Sequence, residues 1–114
     1  MPTTIQPSAD FKDNLQQLPS VVGIQRIELV GMDGSVVASI ENQPGKQGSL
    51  AVYAHLQQTH GALNREAAEY GLALFAEHTA DARNRPGAHP NVDRLLAIVA
   101  GDGPLQIRVI EDPA

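Results

Sequence analysis

The chain has 114 residues, of which 42% are hydrophobic and 18% charged, with 13 acidic against 8 basic side chains and a formal charge of −5. That suits a folded domain with one core and excludes a disordered tail. The acidic balance argues against general nucleic-acid affinity, because phosphates are neutralised by Lys and Arg and the two lysines, Lys12 and Lys46, stand far apart.

Met1–Pro7 reads as a loose leader to a single domain over 8–114. It has neither a basic region nor an apolar run, so no signal peptide is expected. Ser8 is placed to cap a short helix in which Phe11, Leu15 and Leu18 recur at helical spacing, and Pro19 stops it. Ile24–Val30 and Ser35–Glu41 alternate apolar and polar residues as strands. Gly31-Met32-Asp33-Gly34 between them carries the Asp-Gly pair of a hairpin. Asn42 to Ser49 is a turn-rich link. A helix then begins at Gln47 or Ser49 and runs to about Thr59, with Gly61 as its stop.

Asn64 caps the longest predicted helix, carried to about Arg83 with Ala68, Leu72, Phe75, Ala76 and Thr79 as its inward stripe. Gly71 inside it weakens the helix by about 1 kcal/mol, which points to a neighbour packed closely there. Pro90 suits the first turn of a further helix, Asn91–Ala100, and Gly101 to Pro104 ends it. Leu105–Ile110 forms the last strand. The order is α-β-β-α-α-α-β, an α+β domain with a small three-stranded, mainly antiparallel sheet and helices on one face. No strand is expected between Leu50 and Ala82. The longest apolar stretch, Leu95 to Ala100, is far too short to span a bilayer, and with no cysteine to form a disulfide, a cytoplasmic location is expected.

Chemistry concentrates between Glu77 and Asp93, around a loop stiffened by Pro86, Gly87 and Pro90. Glu77, His78 and Asp81 share one flank of a helix. Arg83 and Arg85 supply forked donors suited to carboxylate or phosphate, and His89, Asn91 and Asp93 gather around the next helix start. A short turn brings that start back beside the preceding helix, so His78, Arg83, His89 and Asp93 are expected to converge on one pocket for a small polar or anionic ligand. The bland alternative is capping: Asp93 favours a helix N-terminus, and the arginines a C-terminus.

A second anion candidate is Gly45, Lys46, Gly48 and Ser49, a glycine-bearing turn running into a helix N-terminus. It lacks the spacing of a phosphate-binding loop, because Lys46 precedes Gly48 instead of following it. Metal ligation has acceptable residues in Glu77, His78, Asp81, His89 and Asp93 but no paired motif, so no metal or cofactor is assigned. His55 and His60, five apart, fall on different flanks of their helix and read as structural. Serines outside any nucleophile motif, and no cysteine, leave covalent catalysis without a signal.

The segments Gly48-Ser49-Leu50-Ala51-Val52-Tyr53, Ala76-Glu77-His78-Thr79 and Pro86-Gly87-Ala88-His89-Pro90-Asn91-Val92-Asp93, in this order and spacing, resemble an uncharacterised bacterial family, domain of unknown function 2322. The likeness covers about residues 11 to 111. It implies a small stand-alone bacterial cytosolic protein and supplies no activity, cofactor or catalytic residue. Two functions therefore stand side by side: a ligand pocket around residues 77–93, with acid–base chemistry available from the two imidazoles, and a homodimeric interaction or adaptor module using a sheet edge or an alanine-rich helix face.

Overall fold

The computed structural model describes residues 7–18 and 21–111; the leader up to Gln6 and the helix stop at Pro19 lie outside them. The elements run α1 (Phe11–Gln17), β1 (Ile24–Val30), β2 (Val36–Glu41), α2 (Gln47–His60), β3 (Ala62–Leu63), α3 (Arg65–Phe75), α4 (Glu77–Asn84), α5 (Pro90–Val99) and β4 (Leu105–Glu111). The α+β class stands. The strand count does not, because the sheet has four strands in the order β2-β1-β4-β3, all neighbours antiparallel.

The extra strand, β3, lies in the stretch where none was expected. It is two residues long and pairs Leu63 with Leu105 and Ala62 with Gln106. Two residues are too few to show alternation, so only the proximity of β4 defines it. Gly61, at φ 79°, ends α2 in the left-handed conformation that glycine adopts without penalty, and turns the chain towards that edge. The β1–β2 hairpin forms where Asp-Gly signalled it. The Gly31 amide donates to the Ser35 carbonyl (2.8 Å), and Asp33 accepts from both the amide and the hydroxyl of Ser35.

Ile27, Leu29, Ile40 and Ile107 turn one sheet face towards α2, whose Leu50, Val52, Tyr53 and Leu56 are fully buried. On the opposite face Glu28 pairs with Arg26 and Arg108. Helices α3 and α5 pack together beyond α2, and the approach is tight at Gly71. A Cβ there would lie 2.8 Å from Leu95 Cδ1 and 3.0 Å from Leu56 Cδ1. The glycine that weakens the helix is thus what lets three helices meet.

The long helix expected from Asn64 to Arg83 is broken. Asn64 caps it as anticipated, accepting from the Ala67 amide, but α3 ends at Phe75 and α4 starts at Glu77. Ala76 between them has φ 53° and ψ −118°, close to the mirror image of the first central residue of a type II turn, a region that favours glycine. No glycine or proline marks the break. It holds because tertiary partners capture the carbonyls it releases. The Thr79 hydroxyl donates to the Leu72 carbonyl (2.6 Å), and the fully buried Asn14 amide of α1 donates to the Leu74 carbonyl (2.9 Å). Asp10, not Ser8, caps α1, accepting from the Lys12 amide.

Candidate functional site

The α3–α4 corner redirects the chain so that each residue of Glu77-His78-Thr79 has a separate task. Glu77 accepts a hydrogen bond from the Phe11 amide (2.7 Å), fastening α1 across the corner. Thr79 ties α4 back to α3. His78 turns inward, its ring 4.7 Å from that of Phe11 in edge-on contact and 5.2 Å from that of His89. The Asn84–Ala88 turn therefore reverses the chain tightly enough to bring the two imidazoles together.

Asp81 organises this turn. Its carboxylate accepts from Arg85 Nε (2.9 Å) and Nη2, and from His89 Nε2 at 2.6 Å. The Arg85 and His89 hydrogen bonds hold the Asp81 carboxyl well below the usual carboxylate range, so it stays charged. A charged carboxylate only accepts, so Nε2 of His89 carries the hydrogen of this bond, and Nδ1 is the nitrogen that a neutral ring would leave with its lone pair. Among the described residues nothing hydrogen-bonds to the ring of His78 or to that Nδ1.

Both rings line a cavity of about 690 Å³, within the size range of small-molecule sites. Its opposite wall is Gly45 to Ser49, the turn into α2. The two regions that the sequence offered as separate anion candidates therefore face one space. Lys46 stands at the cap position of α2 and makes no side-chain capping bond, leaving the first-turn amides of this helix without an intrahelical acceptor. Gly48 is tightly packed: a Cβ would lie 3.1 Å from the Phe11 ring. Phe11, Leu15, Ile40, Phe75 and Val92 make the apolar part of the lining.

Arg94, which the sequence reading passed over, belongs to the same wall. Its Nη1 donates to the Tyr53 hydroxyl (3.1 Å) and to Asn91 Oδ1 (2.9 Å), and its guanidinium sits 5.7 Å from the Tyr53 ring centre. Tyr53 in turn donates to the Asn91 carbonyl (2.5 Å), and burial pushes its hydroxyl up to about 12, so it remains a neutral donor. Asn91 is thus chiefly a bracket for Tyr53 and Arg94. The only hint in the sequence was that Arg94 lies three residues beyond Asn91 on a helix whose apolar face is buried.

Not every expected residue joins the cavity. Arg83 points to a shallow depression on another flank, beside Ser8, Leu72 and Ala76. Asp93 accepts from the Gly87 amide (2.9 Å) and holds the loop instead of lining the space. Arg85 is occupied with Asp81, and Glu77 with Phe11. Convergence thus holds for His78 and His89 and fails for Arg83 and Asp93. Among the described residues no three His, Asp or Glu side chains gather as a metal-ligand set, and no helix is long and apolar enough to cross a membrane.

The other histidines form a contrasting group. His55 is buried, with Nε2 3.0 Å from the Tyr70 hydroxyl and Nδ1 lacking a partner among the described residues; burial and then the nearby His60 lower its pKa. The His60 ring lies 5.7 Å from that of Tyr70, and its Nδ1 meets the Thr59 hydroxyl at 2.7 Å.

Against known proteins, the family of uncharacterised proteins conserved in bacteria, domain of unknown function 2322, matches residues 11–109, and the chain belongs to it. No curated protein and no solved structure matches the chain.

Proposed function

We propose that this member of an uncharacterised bacterial family binds a small organic anion in the cavity between the start of α2 and the α4–α5 turn. One observation carries the reading. In a chain with 13 acidic and 8 basic residues, the cavity lining includes Lys46, Arg94, His78 and His89 and not one carboxylate. Among the described residues neither Lys46 nor Arg94 has an ion-pair partner, so their charge is available to a ligand. Arg94 is also held in place by Tyr53 and Asn91, which lowers the entropy lost on binding. The apolar part of the lining favours an anion with a hydrocarbon or aromatic body over a bare inorganic ion.

Titration calorimetry with phenyl phosphate, benzoate and inorganic phosphate tests this. Phenyl phosphate should bind more tightly than inorganic phosphate. Lys46→Ala and Arg94→Ala should each weaken it by about tenfold, the value of one charge-assisted contact. No binding of any of the three at millimolar concentration would end the proposal.

A specific feature favours a second role, self-association. Strand β2 is an edge of the sheet, and Val36 and Val37 on it are 50% and 56% exposed. An open apolar edge invites strand pairing with a second copy. Sedimentation equilibrium at micromolar concentration tests it, and a 12.1 kDa species alone would remove it.

A further inference from the structure

On the anion-binding reading, we infer that the cavity prefers dianions, of the class of phosphate monoesters, and that it takes up a proton when it binds one, with His89 and His78 as the acceptors. The starting point is the tautomer of His89. Asp81 fixes the hydrogen on Nε2, so a new proton can enter only at Nδ1, and the resulting imidazolium still has its carboxylate partner. His78, 5.2 Å away centre to centre, has both ring nitrogens without partners among the described residues.

The surrounding charges set the sign. From α4, Asp81 faces His89, but two hydrogen bonds from Arg85 already engage that carboxylate. From the α4–α5 loop and α5, the Asp93 carboxylate is turned to the Gly87 amide, and Arg94 lines the cavity. Lys46 lies on the α2 wall, while α1 presents Phe11 to His78, and Glu77 is bonded to the Phe11 amide. Without a ligand, then, the charges on the lining that have no ion-pair partner among the described residues are positive. A bound anion reverses that field. The work of protonating a neighbouring imidazole falls in proportion to the ligand's charge, so a dianion draws a proton about twice as strongly as a monoanion. Linkage makes this reciprocal: affinity for a dianion must rise as pH falls through the imidazole range.

Sulfate is the probe, because it stays a dianion throughout and any proton taken up must come to the protein. Calorimetric titration with sulfate at about pH 7, in two buffers of contrasting ionisation enthalpy, reads the proton number directly. A fraction of a proton is expected per sulfate bound, less for nitrate. Affinity should be at least about fivefold tighter at about pH 6 than at about pH 8. His89→Gln and His78→Gln should each cut the uptake while sulfate still binds. Ring-nitrogen NMR of the unaltered protein reads the same event without a variant, as a sulfate-induced shift of His89 Nδ1 towards its protonated position.

Sulfate binding with no proton uptake and no pH dependence would overturn the inference and leave the anion-binding reading intact. Uptake that persists in both variants, with no NMR shift at His89 or His78, would overturn the assignment to these residues. Failure of sulfate and phenyl phosphate alike to bind would overturn the anion-binding reading itself.

Discussion

Two histidine pairs in the helical layer have opposite surroundings. His55 and His60 flank Tyr70 where α2 packs on α3, and among the described residues no carboxylate is bonded to either ring and the buried Nδ1 of His55 has no partner. His78 and His89 meet across a turn, one of them bonded to a charged carboxylate, and both open onto a cavity. Burial favours the neutral ring of His55, and a charge there would disturb the core. The second pair lines a cavity, within reach of solvent or a ligand. Residue type is the same in both; packing density decides what each can do.

The largest effects should come from the closed side of that contrast. Gly71→Val places a branched side chain against Leu56 and Leu95, both fully buried, and should destabilise the fold by about 2–3 kcal/mol in urea titrations. If the loss is negligible, the α2–α3–α5 contact is looser than described, and the contrast with the open side weakens.

Next in size is Tyr53→Phe, which links the two sides. Removing the hydroxyl takes one partner from the Asn91 carbonyl and one from Arg94, at a cost of about 1–2 kcal/mol. It should also weaken phenyl phosphate binding, because Arg94 loses an anchor. Unchanged affinity with lowered stability would mean that Arg94 is irrelevant to the ligand.

Ala76→Gly should act in the opposite direction. Relieving a positive φ at the α3–α4 corner should stabilise the protein by up to about 1 kcal/mol, read as a rise in the urea midpoint. A loss instead would show that the corner is not strained.

The subtlest effect is a pH dependence that comes from the buried member of the first pair. The folded-state pKa of His55 is lowered, so the unfolded chain takes up a proton first as pH falls. The contribution of His55 to stability is therefore complete above the ordinary imidazole value of about 6.5 and is lost below it. His55→Leu should flatten the dependence of Tm on pH just below that value. An unchanged slope in this variant would remove the assignment to His55.

What the sequence determined by itself is mostly local. The Asp-Gly hairpin, the Gly61 stop, the Asn64 cap and Pro90 at the start of α5 are short-range backbone preferences, and each appears where those residues demanded. Gly71 was readable too, since a glycine inside a helix needs a packing reason and here has one. The same local logic brought His78 and His89 together, because a short turn between two helices leaves their ends no other place to go. Three features were decided only by tertiary structure. Strand β3 exists because β4 lies alongside it. The break at Ala76 exists because Asn14 and Thr79, distant in the chain or a turn away, donate to the freed carbonyls of Leu74 and Leu72. The cavity itself joins the Gly45–Ser49 turn to the α4–α5 turn and recruits Arg94 through Tyr53, while Arg83 faces elsewhere and Asp93 turns to its own loop. Residue spacing fixes which side chains share a helix face. It carries no information about which of two distant loops that face will meet, because this depends on how all the buried surfaces pack at once.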